Sequence, residues 1–292
     1  FPEYSPDDVT RVLVGRIAHF YSSERIDARL AFLEARAKAN PDRKPLSVAR
    51  LPYFCSGCPH NTSTRLPEGS WSQGGVGCHF MVMWMDRSTM TYCHMGAEGA
   101  AWIGQSPFSQ NEHVFANLGD GTYLHSGILA IRAAVAAGVN ITYKLLFNGT
   151  VGMTGGQPLV GSPTVPQISR QLAAEGVSRM VIVTEDPDRH AVGAGLAHGV
   201  TIRHRDELDL VQREMRQIEG VSVLIYDQAC ATERRRQRKR GTAPQPESRL
   251  FIHPEVCEGC GDCSAISNCL SVMPLETSNG RKRHIDQSSC NT

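Results

Sequence analysis

Two apolar runs, each stopped by a short polar turn, constrain this chain more than anything else in it. Residues 114–118 run into Gly119-Asp120-Gly121, and residues 141–147 run into Asn148-Gly149-Thr150. Between them, residues 126–137 have helical length and periodicity. Near-continuous apolar runs joined by a helix predict parallel strands covered on both faces. The two turns then fall on one edge of the sheet, the edge where ligands bind. An aspartate and an asparagine there, with carbonyls freed by glycine-rich turns, form an all-oxygen donor set suited to Mg²⁺ and its phosphates. The helix that starts near Tyr123 offers free N–H groups to an anion.

The same strand–turn–helix alternation continues through further apolar runs at 90–93, 180–184 and 221–226, with helical segments at 166–174 and 206–218. It predicts a doubly wound α/β domain over residues 51–232. Residues 1–50 are expected to form a helical connector, opened by Asp7 and Asp8 and ended by Asn40-Pro41. Residues 233–249 pair a basic run, Arg234–Arg240, with a Pro-containing polar stretch, and predict an exposed linker. Such a run also suits an acidic ferredoxin or the phosphates of coenzyme A. Residues 250–292 are too short to build much core and are expected to need metal to fold. The chain starts at Phe1 and stops at Thr292 inside a cysteine motif, which predicts a piece of a longer polypeptide.

With 30 basic against 29 acidic residues, the formal net charge is +1. That balance gives no field for nucleic acid or an anionic membrane, and no apolar stretch has the length of a membrane span. The ten cysteines are informative. Cys55-x-x-Cys58 and the Cys257, Cys260, Cys263 triplet have metal-ligand spacing rather than the look of a secreted disulfide framework, so a reducing, cytoplasmic compartment is expected.

Gly-Asp-Gly alone is equally a tight turn. Asn148 stands 28 positions after Asp120, a βαβ-sized interval. Thr154-Gly155-Gly156-Gln157 then supplies a loop that a ligand can approach closely. Together these match the thiamine diphosphate signature. Its Mg²⁺ would be held by Asp120, Asn148 and the Thr150 carbonyl, and the cofactor by Gly119, Asp120, Gly121, Asn148, Thr150, Gly155, Gly156 and Gln157. Cys55 and Cys58, with Cys78 of Gly-Val-Gly-Cys-His, need a fourth thiolate, and Cys230 after the 221–226 strand is the candidate. Four such thiolates suit zinc and a [4Fe–4S] cluster alike.

Cys257, Cys260 and Cys263 open like a bacterial ferredoxin run, but Cys269 follows after five residues rather than three, with Leu270 where proline is usual. Cys290 begins a second run. Cys93, in an apolar strand, is read as a core residue. Among the histidines beside these motifs (His60, His79, His94 and His125), His60 and His94 are the better catalytic candidates: His60 flanks a cysteine pair and His94 ends a strand.

Taken in order, these motifs resemble the thiamine-binding and iron–sulfur portion of the indolepyruvate ferredoxin oxidoreductases of the fused type, within the 2-oxoacid:ferredoxin oxidoreductase superfamily. The resemblance covers residues 51–292 well and 1–50 more loosely. It implies oxidative decarboxylation of an aryl 2-oxoacid with coenzyme A, giving acyl-CoA, CO₂ and reduced ferredoxin. It also implies a proximal [4Fe–4S] cluster on Cys55, Cys58, Cys78 and Cys230, and C-terminal clusters on Cys257, Cys260, Cys263, Cys269 and Cys290. The pyrimidine-activating glutamate would belong to a domain outside this chain, so the fragment alone is expected to be inactive and the full-length enzyme to be a homo-oligomer. A pyruvate or branched-chain 2-oxoacid enzyme of the same superfamily is the alternative. An electron-transfer or metal-bound scaffold without thiamine chemistry is the alternative from another class.

Overall fold

Seven parallel strands run through the larger part of the computed structural model, which describes residues 5–39, 51–190 and 195–291. They are β1 (Ser72–Gly74), β2 (Thr89–Tyr92), β3 (Val114–Gly119) and β4 (Ile141–Phe147), followed, after a small antiparallel pair β5 (Thr150–Val151) and β6 (Gln157–Pro158), by β7 (Arg179–Thr184), β8 (Thr201–His204) and β9 (Val221–Asp227). Their order across the sheet is β2-β1-β3-β4-β9-β7-β8.

The central strands are buried along nearly their whole length, which explains their unbroken apolar sequence. One face packs Leu118, Tyr143, Leu145, Ile182 and Ile225 with Ile131 and Ala134 of helix Ile128–Ala137 and Ile168 and Leu172 of helix Val165–Ala174. The other packs Leu146, Val181, Val183, Leu224 and Tyr226 with Leu208, Val211 and Met215 of helix Leu208–Met215. Helices on both faces make the sheet doubly wound. Helix Val165–Ala174 starts on a capping box in which Thr164 and Gln167 satisfy each other's backbone N–H groups.

β1 has β2 on one side and β3 on the other, so the chain reverses direction across the sheet at β1 and β3. At such a switch point the loops leaving two neighbouring strands diverge and open a crevice. The loops leaving β1 and β3 are those of Gly75–Cys78 and of Asp120.

Residues Leu51–Thr292 form one compact unit and Phe1–Arg50 another. In the smaller unit, helix Pro6–Ile17 has a Ser5–Asp8 capping box, and Asp7 pairs with Arg36 of helix Glu24–Ala39. Asn40-Pro41, expected to end that helix, lies outside the described residues. The basic run differs from expectation. It belongs to helix Ala231–Lys239, where Arg234, Arg235, Arg236 and Arg238 are half-buried and Arg234 pairs with Glu185 at 2.5 Å. An acidic partner and a neighbouring surface offset the self-repulsion that would keep a free basic run extended. Residues after 250 carry helix Asp262–Ser267 and the antiparallel hairpin of β10 (Val272–Thr277) and β11 (Gly280–Ile285). Among the described residues no helix is long and apolar enough to cross a membrane.

Candidate active site

Asp120 is the first residue after β3, 5% exposed. Its Oδ2 accepts the backbone N–H groups of Asn148 at 2.8 Å and Gly149 at 2.6 Å, and its Oδ1 accepts that of Gly121 at 2.8 Å. Burial raises its pKa, and these three donors offset only part of that rise by stabilising the carboxylate. Asn148, past the end of β4, accepts the Thr150 N–H on Oδ1 at 2.8 Å. Two adjacent strands thus deliver a carboxylate and a carboxamide to one place, already oriented by backbone donors. Asp120 Oδ2 is filled by its two backbone donors, whereas Asp120 Oδ1 and Asn148 Oδ1 each accept one bond and keep a lone pair, the hard donors such a cation takes.

Gly155 and Gly156 lie in the loop between β5 and β6, where the Gly155 carbonyl accepts from Arg236 Nη1 at 2.5 Å. Gln157 is exposed, and its amide bonds back to Thr154 at 2.7 and 2.8 Å. The loop is therefore anchored from the basic helix rather than from Asp120.

The turn after β1 presses against β3. A Cβ on Gly75 would fall 2.0 Å from the Asn117 carbonyl oxygen and 2.7 Å from His79 Nε2, so only glycine permits this approach. His79 is 2% exposed, and its ring lies 3.5 Å from where a Gly119 Cβ would stand. Burial first, then the neighbouring charges of His60 and Lys144, push its pKa down to about 3, so the ring is neutral. Its Nε2 is buried without a protein partner. Glu98, 1% exposed, accepts the Gly96 N–H at 2.8 Å and the Val76 N–H at 3.5 Å, tying the loops after β1 and β2 together. Burial raises its pKa.

Cys55 and Cys58 form a turn closed by a 3.0 Å backbone hydrogen bond. Cys78 opens the 3₁₀ turn Cys78–Trp84, and Cys230 precedes helix Ala231–Lys239. Burial, and then the charges of Cys55, Cys78 and Cys230, push the Cys58 thiol up to about 12. Cys78 rises to about 11 from burial and the charges of Cys230 and Cys55. The fold thus gathers four thiols from three distant parts of the sequence. None of them is in a disulfide. Gly152, four residues past Asn148, forms part of the wall: its Cβ would stand 3.1 Å from Cys78 Sγ and 4.0 Å from Cys230 Sγ. Among the described residues no three His, Cys, Asp or Glu side chains close around a single metal ion.

His60 and His94 are placed differently. His60, 6% exposed, lies beside His79 with ring centroids 5.9 Å apart, and burial pushes its pKa down to about 4. His94 is exposed, past the end of β2. Of the C-terminal cysteines, Cys260 and Cys263 are exposed while Cys257, Cys269 and Cys290 are half-buried. Cys269 is raised by burial, but the Ser56 hydroxyl and Ser271 bring it below the usual thiol value.

Sequence reasoning missed Gly75, Glu98, Lys144 and Gly152, and ranked His94 above His79. The sequence signal for His79 was its place one residue after Cys78. Lys144 is fully buried in β4. Its ammonium donates to the Ser63 carbonyl, to the Arg65 carbonyl at 3.4 Å and to Gln212 Oε1 at 3.0 Å, pinning the segment after Cys58 to the sheet.

Comparison with known proteins places this edge in a family. Residues 75–226, more than half of the chain, match the model of the thiamine pyrophosphate enzyme C-terminal TPP binding domain. The indolepyruvate oxidoreductase subunit IorA of Archaeoglobus fulgidus is 28% identical over 253 residues, covering 82% of this chain and 37% of that protein. Its namesake in Thermococcus kodakarensis is 24% identical over 307 residues, covering 95% of this chain and 45% of that protein. The chain thus spans less than half the length of these curated relatives. A 2-oxoglutarate:ferredoxin oxidoreductase structure from Magnetococcus marinus superposes with a TM-score of 0.47 at 17% identity, covering 72% of this chain and 79% of that one. By the extent of the family match, the chain belongs to the thiamine pyrophosphate enzymes, of which it carries the C-terminal TPP binding domain.

Proposed function

We propose that this chain is the thiamine diphosphate- and iron–sulfur-bearing part of a 2-oxoacid:ferredoxin oxidoreductase of the indolepyruvate type. The reaction is 2-oxoacid plus coenzyme A to acyl-CoA, CO₂ and one proton, with two electrons passed singly to two oxidised ferredoxins. One observation supports the reading: Gly152, four residues past Asn148, packs against the sulfurs of Cys78 and Cys230, so the loop that carries the carboxamide also borders the four thiols.

Bound thiamine diphosphate supplies the nucleophilic carbon for decarboxylation, and [4Fe–4S] clusters accept the electrons released. The protein's part is orientation. Asp120, Asn148 and the Thr150 carbonyl hold Mg²⁺ and so the diphosphate, with Gly119, Gly121 and the Gly155–Gln157 loop around it. The neutral, buried His79 lines the crevice beside Gly119 without adding a charge that would compete for the carboxylate. His60 stands behind it, against the cysteine turn. Cys55, Cys58, Cys78 and Cys230 hold the first cluster. Cys257, Cys260, Cys263, Cys269 and Cys290 belong to clusters that carry electrons onward. Residues 51–232 are the thiamine domain, and residues 250–292 belong to a ferredoxin-like module. The domains that activate the pyrimidine end and complete the enzyme lie outside this chain.

The IorA relatives, named for indolepyruvate, support the aryl branch. Steady-state assays of the anaerobically purified full-length enzyme with indolepyruvate, phenylpyruvate and pyruvate test it. The aryl substrates are expected to give the higher kcat/KM, and a preference for pyruvate would overturn the branch. Metal analysis of the same sample is expected to give iron and sulfide; zinc alone would overturn the clusters.

A further inference from the structure

Asn117 of β3 and Lys144 of β4 are register partners, both fully buried. Their strand neighbours Leu118 and Leu145 pack with helix Ile128–Ala137, so Asn117 and Lys144 face the other side of the sheet. Three further side chains meet there. The Ser63 carbonyl accepts from the Lys144 ammonium, which sets the short helix His60–Ser63 over the pair. His79 enters from the turn after β1: the place of a Gly75 Cβ is 2.7 Å from His79 Nε2 and 2.0 Å from the Asn117 carbonyl oxygen. The charge of Lys144 bears on its ring, and the His60 ring lies 5.9 Å from it. Asn117, His79, His60 and Ser63 are each 6% exposed or less. Among the described residues Asn117 Oδ1 and Nδ2, His79 Nε2, His60 Nδ1 and Ser63 Oγ have no protein partner.

Lys144 cannot serve these atoms. An ammonium has three N–H donors, and those of Lys144 go to the Ser63 carbonyl, the Arg65 carbonyl and Gln212 Oε1. What remains is a mixed set: a carboxamide and a hydroxyl that both donate and accept, and two imidazole nitrogens that can do either. An apolar guest would leave all of them unpaired. The set supplies no carboxylate for a cation, and the ammonium that would draw an anion is already spent. Water donates and accepts, and makes about three hydrogen bonds when buried among polar groups. It fits every member of the set.

We propose that Asn117, His79, His60 and Ser63 form an internal hydration site, in which ordered water bridges the Asn117 carboxamide to His79 Nε2 and to the other two groups. The His79 ring stands 3.5 Å from the place of a Gly119 Cβ, and Gly119 leads directly into Asp120. Water held by Asn117 therefore braces that ring behind the Asp120–Asn148 edge, which makes Asn117 a positioning residue for the edge. The hydration site stands on the packing alone, whereas its effect on the edge rests on the function proposed above.

The test is a high-resolution crystal structure of the full-length enzyme, followed by Asn117→Leu and Asn117→Ser. The wild type is expected to show a water peak within hydrogen-bond reach of both the Asn117 side chain and His79 Nε2. A direct Asn117–His79 bond, a peak with the anomalous signal of an ion, or no peak would overturn the hydration site. Asn117→Leu fills the space with methyl groups, while Asn117→Ser keeps a hydroxyl and makes room for a further water. Mg²⁺-dependent thiamine diphosphate affinity, measured by calorimetry, is expected to fall about tenfold in Asn117→Leu and much less in Asn117→Ser, with the iron content of both unchanged. Were packing alone at work, the smaller side chain would be the worse of the two. Affinity in Asn117→Ser as low as in Asn117→Leu would overturn the positioning role. Should Asn117→Leu fail to fold, Asn117→Ser decides alone, and a tenfold loss there is the contrary result. A wild-type enzyme that binds no thiamine diphosphate would overturn the functional reading and leave the water peak standing.

Discussion

Asp120 and Asn148 are joined across two neighbouring strands by a 2.8 Å hydrogen bond from the Asn148 backbone N–H to the Asp120 carboxylate. The bond makes one side chain both a candidate cation ligand and the brace of the loop carrying the other. Asp120→Ala therefore removes a ligand and leaves the N–H groups of Asn148, Gly149 and Gly121 without their acceptor. Loss of thiamine diphosphate affinity by at least about 100-fold is expected, with a stability loss of about 1–3 kcal/mol. Calorimetric titration with Mg²⁺ and the cofactor checks the first, urea unfolding the second. Wild-type affinity in the variant would remove Asp120 from the site.

Gly152 is predicted to be limited by space. A Cβ there meets Cys78 Sγ at 3.1 Å, a contact that movement of a few tenths of an ångström relieves, whereas the branches of valine have nowhere to go. Gly152→Ala should retain the iron of the first centre and Gly152→Val should lose it, while thiamine diphosphate still binds. Iron and sulfide per chain distinguish the two. Equal iron in both variants would show that Gly152 does not wall the thiols.

Lys144 is a buried cation whose partners in the structure are two carbonyls and a carboxamide. Burial pulls its pKa down to about 7. Lys144→Ala leaves the acceptors on Ser63, Arg65 and Gln212 without their donor, an expected cost of about 1–3 kcal/mol. The loosened segment after Cys58 should also release iron faster to a chelator. An unchanged release rate would mean that the pin does not reach the cysteine turn.

His113 bonds Thr142 Oγ1 at 2.8 Å, and burial, then the Arg216 charge, hold its pKa down near about 4. The unfolded chain takes up this proton near pH 6.5 and the folded chain only near 4. Stability from the neutral ring is thus complete above pH 6.5 and lost as pH falls towards 4, by up to about 1.4 kcal/mol per pH unit. His113→Gln should flatten that slope in urea titrations between pH 7 and 4.5. Parallel curves for the two proteins would contradict the assignment.

The sequence made the central sheet legible because β3, β4, β7 and β9 are covered on both faces and so written in unbroken apolar residues. β1, Ser72-Gln73-Gly74, was not legible: three small or polar residues become a strand only between β2 and β3. The basic run looked like linker because its partners, Glu185 and the Gly155 carbonyl, lie far away in sequence. Asp120 and Asn148 were readable since strand-end turns announce themselves through glycine. His79, Glu98 and Lys144 were not, because what marks them is burial at a crossing of distant loops. The four-thiol group was proposed from spacing and position, and its gathering depends on the same long-range packing.

Electrons released from a cofactor held at the Asp120–Asn148 edge are expected to enter the four-thiol group first. Anaerobic full-length enzyme, loaded with Mg²⁺ and thiamine diphosphate and mixed with one equivalent of indolepyruvate, should develop the EPR signal of a reduced [4Fe–4S] cluster within a single turnover. The signal should vanish in Asp120→Ala, which keeps its iron, and in Cys78→Ser, which keeps its cofactor. A signal of wild-type size and rate in either variant would show that electrons do not pass from that edge to those thiols.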